Sequence, residues 1–409
     1  MSRRTILITC AAVALLFSLV AWAASHQVFA QTGAANAKVA SAPGASGVGP
    51  ALFARGSDVV EIPASFIGKQ VFLPVRVNRS EPSLFRLDTS ESSTSISPAR
   101  LAELAVQIGP VTVLNFPGSD LPMKALPAVE NKDFPAQVGR TYEGTLGNDF
   151  LDCYVAEIDY ARQTLRLYDP GPYQYAGKSK QIHLSFSGTM PVVRAKVSFL
   201  KGKPLEGDFV LNTSLDAGVV ISNRYASAHH LPSLKTISAN DPQLSANGGA
   251  VAARIKEFQL GDFTVESAIA EFSSAPMPFG DDGKFAGEIG GGMLRRFTVI
   301  LDYPHQQMVL TPNAHLGEDD HEDMSGISMV ALGPGLKTFQ ITQVAPGSAA
   351  AHEQIQPGDV IIGIDQDPAA DLTLEEFLDA FRQVGHKYKL VISHNGQTRE
   401  VTIEMRRRL

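Results

Sequence analysis

The stretch that decides the fold is FRLDTS at residues 85–90, because a variant of it, FVLNTS, stands at residues 209–214. In both places, a short run leads into a triplet of turn-forming polar residues; the run alternates apolar and polar in the first copy and is continuously apolar in the second. Either pattern fits a β-strand, and the triplet predicts the turn that ends it. A strand and turn that occur twice in one chain indicate an internal duplication.

Two further landmarks follow each copy in the same order. GTLGNDFL at residues 144–151 corresponds to GEIGGGML at residues 287–294, and VAEIDY at residues 155–160 corresponds to TVILDY at residues 298–303. Short apolar runs bounded by Gly, Pro, Asn and Ser surround these landmarks, as is typical of strands joined by turns. The simplest account is two homologous lobes, both mainly β.

The composition fits a protein with packed cores. The chain has 409 residues, a length that corresponds to two or three domains. Hydrophobic residues make up 44% and charged residues 19%, which is ordinary for a globular protein and excludes global disorder. The formal net charge is -7, so no broad electropositive face is available for a phosphate backbone. We therefore expect no nucleic-acid partner.

The first thirty residues have the pattern of an export signal. Arg3 and Arg4 precede an apolar run at residues 6–24, and small residues suit cleavage after Ala23 or, preferably, after Ala30. We therefore expect a periplasmic or secreted protein. An uncleaved signal that anchors the chain is the alternative, because the run is close to the length that spans a bilayer.

A third unit follows an acidic run near the end of the second lobe. It contains several short apolar runs and one amphipathic helix, with Leu374, Phe377, Leu378 and Phe381 on one face. The sequence TLEE at residues 373–376 has the spacing of a capping box at the start of that helix.

The predicted organisation has six segments. Small residues dominate residues 31–50 of the second segment, which are too poor in large apolar side chains to repay the entropy of ordering. The segments are a signal peptide (1–30), a flexible linker (31–57), a first lobe (58–175), a second lobe (176–314), a solvated acidic linker (315–324) and the third unit (325–409).

The ordered double set of landmarks resembles the retropepsin-like aspartyl protease family over residues 59–312. In that family each of two lobes contributes an Asp-Thr-Gly turn that carries one catalytic aspartate. The resemblance implies a bilobal, pepsin-type fold that is mainly β. It makes Asp88 the candidate catalytic aspartate and places Asn212 at the position of the second one. It also implies that Thr89 and Thr213 tie the lobes together by hydrogen bonds.

Two features depart from the family pattern. Peptide hydrolysis by a carboxylate pair needs two carboxyl groups that share a proton, and the amide of Asn212 cannot exchange one. Ser90 and Ser214 also stand where the family has glycine, at a place where a missing side chain lets backbone and substrate approach closely. The sequence therefore predicts an impaired protease homologue that binds polypeptide. The alternative is an active endopeptidase that uses Asp88, with unusual help in the monomer or through homodimerisation.

The third unit resembles a PDZ domain, a fold of mixed α and β structure. Its distinctive stretch is VAPGSAA at residues 344–350 followed by IQPGDVI at residues 355–361. The resemblance implies that the loop at residues 333–336 receives a peptide carboxylate and that the strand at residues 338–342 accepts an added peptide strand. The residues expected at this site are Gly333, Gly335, Leu336, Phe339, Ile341, Leu374 and Phe377.

The expected partners are protein or peptide segments, bound in the interlobe cleft and in the PDZ groove. A PDZ unit that packs on the lobes and occludes its own groove is the alternative. The histidines lack the spacing of a metal site, and no phosphate-binding loop is present in the sequence. We therefore expect no metal and no cofactor. The sequence leaves the oligomeric state open.

Overall fold

A computed structural model describes residues 48–105, 108–130, 136–137, 139–231, 234–238, 250–273, 277 and 283–409. The predicted signal peptide and residues 31–47 of the predicted linker lie outside the described residues. No helix in the described part of the chain is long and apolar enough to cross a membrane.

The described part of the first lobe is built from short strands with turn residues between them. Its helices are α1 (Pro98–Leu104) and α2 (Asn148–Leu151). Its strands are β1 (Leu52–Phe53), β2 (Val59–Pro63), β3 (Ser65–Ile67), β4 (Gln70–Val77), β5 (Ser83–Leu87), β6 (Ser95–Ile96), β7 (Thr112–Phe116), β8 (Ser119–Met123), β9 (Gly144–Leu146), β10 (Val155–Asp159) and β11 (Thr164–Tyr168).

An eight-stranded sheet of this lobe holds the first of the duplicated turns. Its order is β1-β8-β7-β4-β5-β9-β6, with β3 beside β4. Strand β5 runs parallel to β9, which sets Leu87 opposite Leu146. The backbone N–H of Asp88 donates to the carbonyl of Leu146 at 2.9 Å. The turn at residues 88–90 is therefore fixed to the landmark predicted to pack behind it.

Strand β1 corrects the prediction of a flexible linker that extends to residue 57. Leu52 pairs with Asp120 on β8, and the N–H of Gly49 donates to the carbonyl of Pro122 at 2.9 Å. Pairing at a sheet edge uses backbone groups, and Phe53 also packs on the core of the lobe, with its ring 5.8 Å from that of Tyr154. The lobe therefore begins at or before residue 48.

The described part of the second lobe repeats this design. Its helices are α3 (Asn223–Ala228) and α4 (Gly291–Leu294). Its strands are β12 (Gln181–His183), β13 (Ser185–Ser187), β14 (Met190–Ser198), β15 (Leu205–Asn212), β16 (Val219–Ser222), β17 (Thr236–Ser238), β18 (Ala250–Arg254), β19 (Glu257–Leu260), β20 (Phe263–Glu266), β21 (Ile269–Ser273), β22 (Gly287–Gly290), β23 (Phe297–Asp302) and β24 (Gln307–Pro312).

The second lobe places its duplicated turn in the same way as the first. Its ten-stranded sheet has the order β17-β18-β21-β16-β22-β15-β14-β19-β20, with β13 beside β14. Strand β15 runs parallel to β22, which sets Leu211 opposite Ile289. This pairing is the equivalent of Leu87 opposite Leu146, so the internal duplication predicted from the landmarks is present in the strand pairing.

A third sheet joins the lobes. It has six strands in the order β12-β24-β23-β10-β11-β2. Its centre is the antiparallel pair β10 and β23, which contains the last pair of duplicated landmarks. Buried side chains from both lobes form one hydrophobic cluster. The two lobes therefore share a sheet and a core, and the bilobal, mainly β fold predicted from the sequence is confirmed.

The third unit is a separate sheet with its own core. Its sheet has the order β25-β26-β27-β29-β30, with β28 beside β27. Its strands are β25 (Ile327–Leu332), β26 (Thr338–Val344), β27 (Val360–Ile364), β28 (Asp367–Pro368), β29 (Lys387–His394) and β30 (Gln397–Glu404). Its helices are α5 (Ala349–His352) and α6 (Leu374–Ala380), and it has two 3₁₀ turns (Pro334–Leu336 and Ala369–Asp371).

Helix α6 has the predicted start and the predicted buried face. The Thr373 side chain accepts from the N–H of Glu376, and the Glu376 carboxylate accepts from the N–H of Thr373. Leu374, Phe377 and Phe381 are buried in the core of the third unit. The capping box and the apolar spacing therefore both predicted this helix correctly.

Only part of the acidic run at residues 315–324 is solvated, which corrects the sequence-based prediction of a solvated linker. Asp320 accepts from the guanidinium of Arg296 at 2.5 Å. Glu322 is only 5% exposed and pairs with Arg254 at 3.3 Å. Basic side chains of the second lobe therefore neutralise part of the run and fix it against that lobe.

Candidate functional site

The two duplicated turns meet in the interior of the molecule. The Thr89 hydroxyl donates to the carbonyl of Leu211 at 2.7 Å and accepts from the N–H of Thr213 at 3.1 Å. The Thr213 hydroxyl donates to the carbonyl of Leu87 at 2.8 Å and accepts from the N–H of Thr89 at 3.1 Å. Both threonines are fully buried. Four hydrogen bonds related by approximate twofold symmetry therefore hold the turns together.

The Asp88 carboxylate lies in a buried ion pair. Its Oδ2 accepts from Nη2 of Arg86 at 2.6 Å. Its Oδ1 accepts from the N–H and the hydroxyl of Ser90 at 2.9 Å and 2.6 Å. Asp88 is 1% exposed and Arg86 is 6% exposed. Three of the roughly four acceptor positions of this carboxylate are thus used by its own turn and strand.

Tyr142 packs against this ion pair. The Arg86 guanidinium lies 5.1 Å from the centre of the Tyr142 ring, which is cation–π distance. Burial raises the pKa of the Tyr142 phenol to about 12, although the charge of Arg86 lowers it in part. The phenol is therefore neutral across the physiological pH range.

Asn212 repeats the geometry of Asp88 with a different chemistry. Its Oδ1 accepts from the N–H and the hydroxyl of Ser214 at 3.1 Å and 2.7 Å. Its Nδ2 donates to Oε1 of Glu288 at 3.2 Å. Asn212 is 8% exposed, and Glu288 is buried on β22. The partner of Asp88 is therefore a cation, whereas the partner of Asn212 is a carboxylate from a different strand.

Ser90 and Ser214 have a definite role in these turns. Each serine places its N–H and its hydroxyl on the side-chain oxygen two residues before it. The sequence identified the two serines as departures that could obstruct a substrate. The structure shows that their hydroxyls turn back toward Asp88 and Asn212, and so add one polar contact to each turn.

Sequence reasoning missed Arg86 and Glu288. In the strand pairing Arg86 is opposite Thr145, and Val210 is opposite Glu288. The available signal was a single charged residue within each of two otherwise apolar strands. Because side chains alternate along a strand, Arg86 also had to share a face with Asp88. Glu288 is 76 positions from Asn212, so only the duplication could have brought it to attention.

The PDZ residues predicted to contact a peptide are largely core residues, which is a correction. Phe339, Ile341, Leu374 and Phe377 are buried in the third unit, and the rings of Phe339 and Phe377 are 4.8 Å apart. These side chains stabilise the sheet and helix α6. They are not available to line an open groove.

The strand predicted to accept a peptide is paired on both of its edges. Residues 338–344 of β26 pair with β25 on one side. On the other side, Phe339 and Gln340 pair with β27. An added strand therefore has no place on β26. Within the described PDZ sheet, β25 is at the edge, so strand addition is possible there.

The loop predicted to receive a carboxylate is the hairpin between β25 and β26. Gly333 and Gly335 have φ values of 72° and 66°, which suit a tight turn of glycines. The N–H of Leu336 donates to the carbonyl of Gly333 at 3.1 Å, so this donor is already used. The loop geometry closes the hairpin and gives no support to carboxylate capture by Leu336.

Helix α6 also packs on the first lobe. Burial raises the pKa of the Glu375 carboxyl, while a hydrogen bond from the N–H of Gly68 acts in the opposite direction. Gly139 lies against Leu374 so closely that a methyl group in place of its hydrogen would be 2.6 Å from the Leu374 Cβ. One face of the PDZ helix is therefore engaged with the lobe.

Comparison with known proteins supports the assignment of the third unit. Residues 317–393 match the family model of the PDZ domain, a match that begins within the acidic run. No curated protein matches the chain.

Three solved structures illustrate the structural similarity. A photosystem II D1 C-terminal processing protease is 21% identical, with a TM-score of 0.18, over 20% of this chain and 22% of that chain. An aspartic proteinase from Irpex lacteus is 11% identical, with a TM-score of 0.39, over 63% of this chain and 98% of that chain. A retropepsin-like aspartic protease from Rickettsia conorii is 12% identical, with a TM-score of 0.25, over 34% and 95%.

The architecture now follows from strand pairing and from the family model together. Two lobes with equivalent turns share a sheet and interlock through their threonines. The C-terminal part of the chain matches the PDZ domain family, and the part before it has a two-lobed, mainly β fold with a shared sheet and core.

Proposed function

We propose that the chain is an exported homologue of aspartic proteases, periplasmic or secreted, that binds polypeptide segments without cleaving them. The observation that carries this proposal is the pair of side chains at the centre of the turns. Asp88 is paired with Arg86, and the equivalent position in the second lobe is an amide.

The chemistry of the pair argues against hydrolysis. One carboxyl must take a proton from water while the other donates a proton or a hydrogen bond to the scissile carbonyl. Asn212 can donate a hydrogen bond, and one of its two amide N–H groups already donates to Glu288. Protonation of Asp88 would remove the counter-charge that lies 2.6 Å from the Arg86 guanidinium. Breaking such a buried ion pair is costly.

An active endopeptidase that uses Asp88 is the competing hypothesis. In its dimeric form, the Asp88 turns of two copies would have to face each other. The Asp88 turn is already joined to the Asn212 turn by the four threonine bonds. To bring two Asp88 turns together, each chain would therefore have to move its own second lobe away from its Asp88 turn. The contacts of the turn favour the monomeric, impaired site.

Protease assays separate these hypotheses. The expected result is that the purified chain shows no pepstatin-sensitive cleavage of unfolded casein between pH 3 and pH 6, while labelled unfolded casein binds saturably. The control is Asp159→Asn, which changes a strand-end aspartate outside the turns. Cleavage that is lost in a folded Asp88→Asn variant and kept in Asp159→Asn would overturn the proposal.

The PDZ domain supports a peptide partner of the general kind that such domains bind. We place strand addition at β25, because its outer edge has no strand partner among the described residues. Titration of the full chain with peptides that end in an apolar residue tests this site. Saturable binding of both the free acid and the C-terminal amide is the expected result, because strand addition uses backbone groups. Absence of saturable binding by either peptide would contradict strand addition at β25.

Export is tested on the expressed protein. We expect the mature chain in the periplasmic or culture fraction, with an N-terminus after Ala30 or Ala23 by terminal sequencing. Full-length protein in the cytoplasmic fraction would contradict export, and full-length protein in the membrane fraction would identify an uncleaved anchor.

A further inference from the structure

The segment that follows the last strand of the PDZ domain, residues 406–409, lies on the second lobe. Leu409 packs against an apolar surface of that lobe, which we name the lobe-2 patch. The patch is formed by Leu215, Ala217, Val220, Ile237, Ala250, Ala252, Ile269 and Met277. A residue of the third unit therefore supplies part of the cover of an apolar surface on the protease-like part.

The lobe-2 patch begins at the Asn212 turn. Leu215 is the third residue after Asn212, and its N–H donates to the carbonyl of Asn212 at 3.3 Å. The N–H of Gly291, at the start of α4, donates to the carbonyl of Leu215 at 2.7 Å. The patch is thus attached to the same turn that meets Asp88. A peptide bound on it would lie beside the interlobe site.

Glu322 holds the backbone of the segment. Its Oε1 accepts from the N–H groups of Arg408 and Leu409 at 2.6 Å and 3.0 Å. Its Oε2 accepts from the Arg254 guanidinium of β18 at 3.3 Å. Burial by itself would raise the pKa of the Glu322 carboxyl, but these donors lower it on balance. The carboxylate is therefore charged at neutral pH and fixed between the lobe and the segment.

The segment and the acidic run have opposite charges. Arg406, Arg407 and Arg408 precede Leu409, and Glu318, Asp319, Asp320, Glu322 and Asp323 lie in the acidic run. Arg407 is 3.9 Å from Asp319, and burial lowers the pKa of Arg408 although Asp323 and Glu322 raise it in part. Carboxylates of the acidic run therefore lie beside the arginines that precede Leu409.

Space remains on both sides of the seated segment. One cavity of about 800 Å³ is lined by Ala217, Ile237 and Ala252 of the lobe, together with α6 and the first lobe. A second cavity of about 820 Å³ is lined by Ile237, Val251 and the three arginines. A longer peptide that follows the same path would find room beyond the few residues that the segment occupies.

We propose that the lobe-2 patch and Glu322 form a binding site for an extended peptide in which a basic residue precedes an apolar one, and that residues 406–409 occupy it as an autoinhibitory segment. This inference deepens the proposed polypeptide binding and rests on it. Glu322 recognises two consecutive backbone N–H groups, the patch takes the apolar side chain, and the acidic run takes the basic one.

The test uses the full chain and a fluorescein-labelled Arg-Arg-Arg-Leu peptide with an amidated end, because the amide excludes capture of a free carboxylate by the PDZ domain. In Leu409→Asp the segment no longer fits the patch, so the peptide should bind at least about tenfold more tightly than to the unchanged chain. Leu200→Asp is the matched control, because Leu200 is 80% exposed. Its affinity should equal that of the unchanged chain.

A double variant checks that the gain in affinity comes from the patch: in Leu409→Asp/Ile237→Asp, the patch itself is changed and the gain should disappear. A measurement on the unchanged chain keeps the proposal falsifiable if Leu409→Asp folds poorly. In the unchanged chain, millimolar unlabelled peptide should accelerate hydrogen exchange at residues 406–409. Equal affinity for the unchanged chain and a folded Leu409→Asp variant, or an exchange rate that the peptide does not alter, would overturn the autoinhibitory role.

These results are distinguishable from failure of the proposed function. If unfolded casein binds but the tetrapeptide binds no more tightly to Leu409→Asp, this inference is wrong and the proposed function stands. If casein is cleaved in a reaction that requires Asp88 while the tetrapeptide still competes with residues 406–409, the proposed lack of hydrolysis is wrong. The site on the second lobe then stands.

Discussion

The Asp88 turn and the Asn212 turn share one pattern of hydrogen bonds but have partner side chains of opposite charge. Each turn ends a strand that runs parallel to a partner strand, places a threonine on the other lobe and receives a serine hydroxyl. The first lobe then sets a cation against a carboxylate, whereas the second sets a carboxylate against an amide. The threonine hydroxyls bond only to backbone groups of the other lobe. These contacts therefore persist whether the residue before the threonine is Asp88 or Asn212.

The origin of the partner also differs between the lobes. Arg86 comes from the strand that carries its own turn, two residues before Asp88. Glu288 comes from the neighbouring strand, opposite Val210. The duplicated fold thus offers two places from which a buried side chain can reach the turn position, and each lobe uses one of them. Burying a charge without a partner costs free energy. Arg86 is the partner that balances the charge of Asp88, and Glu288 is the partner that accepts the hydrogen bond of Asn212.

The largest expected effect is the difference in stability loss between breaking the Asp88–Arg86 ion pair and weakening the Asn212–Glu288 hydrogen bond. Asp88→Asn removes the counter-charge of Arg86 and should destabilise the fold by about 3–5 kcal/mol. Glu288→Gln keeps an oxygen that can accept from Asn212 and should cost about 1 kcal/mol. Urea unfolding at pH 7 measures both. Equal costs would show that the electrostatic contrast between the turns has no energetic consequence.

Substitution of the two threonines should show that the two turns are equivalent, because equal stability losses are expected. Thr89→Val and Thr213→Val each remove one donated and one accepted hydrogen bond and leave buried backbone groups unsatisfied. Each should cost about 2–3 kcal/mol, and the two costs should agree within about 0.5 kcal/mol. Thr264→Val, at an exposed position of β20, is the control. Clearly different costs for Thr89→Val and Thr213→Val would show that the two turns are symmetric in geometry but not in energy.

The smallest effect should depend on pH. Asn212→Asp places a second carboxyl 3.2 Å from Glu288 Oε1, where an N–H now donates, and two carboxyls this close raise one pKa. A raised carboxyl pKa in the fold costs stability above the unfolded value of about 4 and costs nothing below it. We expect a loss of about 1–2 kcal/mol at pH 7 that disappears near pH 4.

A second substitution checks the origin of that pH dependence. Glu288→Thr gives β22 the residue that β9 has at Thr145. In the Asn212→Asp background it should remove the difference between pH 7 and pH 4 in thermal unfolding. A pH dependence that survives in this double variant would assign the effect to another group. Proteolysis by the double variant would also show that Glu288 blocks a latent carboxylate pair.

Local patterns predicted most of the elements around these turns. The strand before Asp88, the strand before Asn212 and the amphipathic helix α6 with its capping box are all visible in short windows of sequence. The PDZ groove was predicted less well, since Phe339 and Ile341 proved to be core residues on a strand paired on both edges. Apolar alternation marks a buried strand, but it does not tell which strand lies at a sheet edge.

The sequence by itself determined the duplication, the amide at Asn212 and the PDZ domain, because each is a matter of residue identity at fixed short spacing. Tertiary structure alone decided that Glu288 reaches Asn212, that the threonines interlock across 124 positions and that Leu409 rests on the second lobe. These contacts depend on which sheet edges meet and in which register. That choice is made by the packing of the whole core, which no short window of sequence contains.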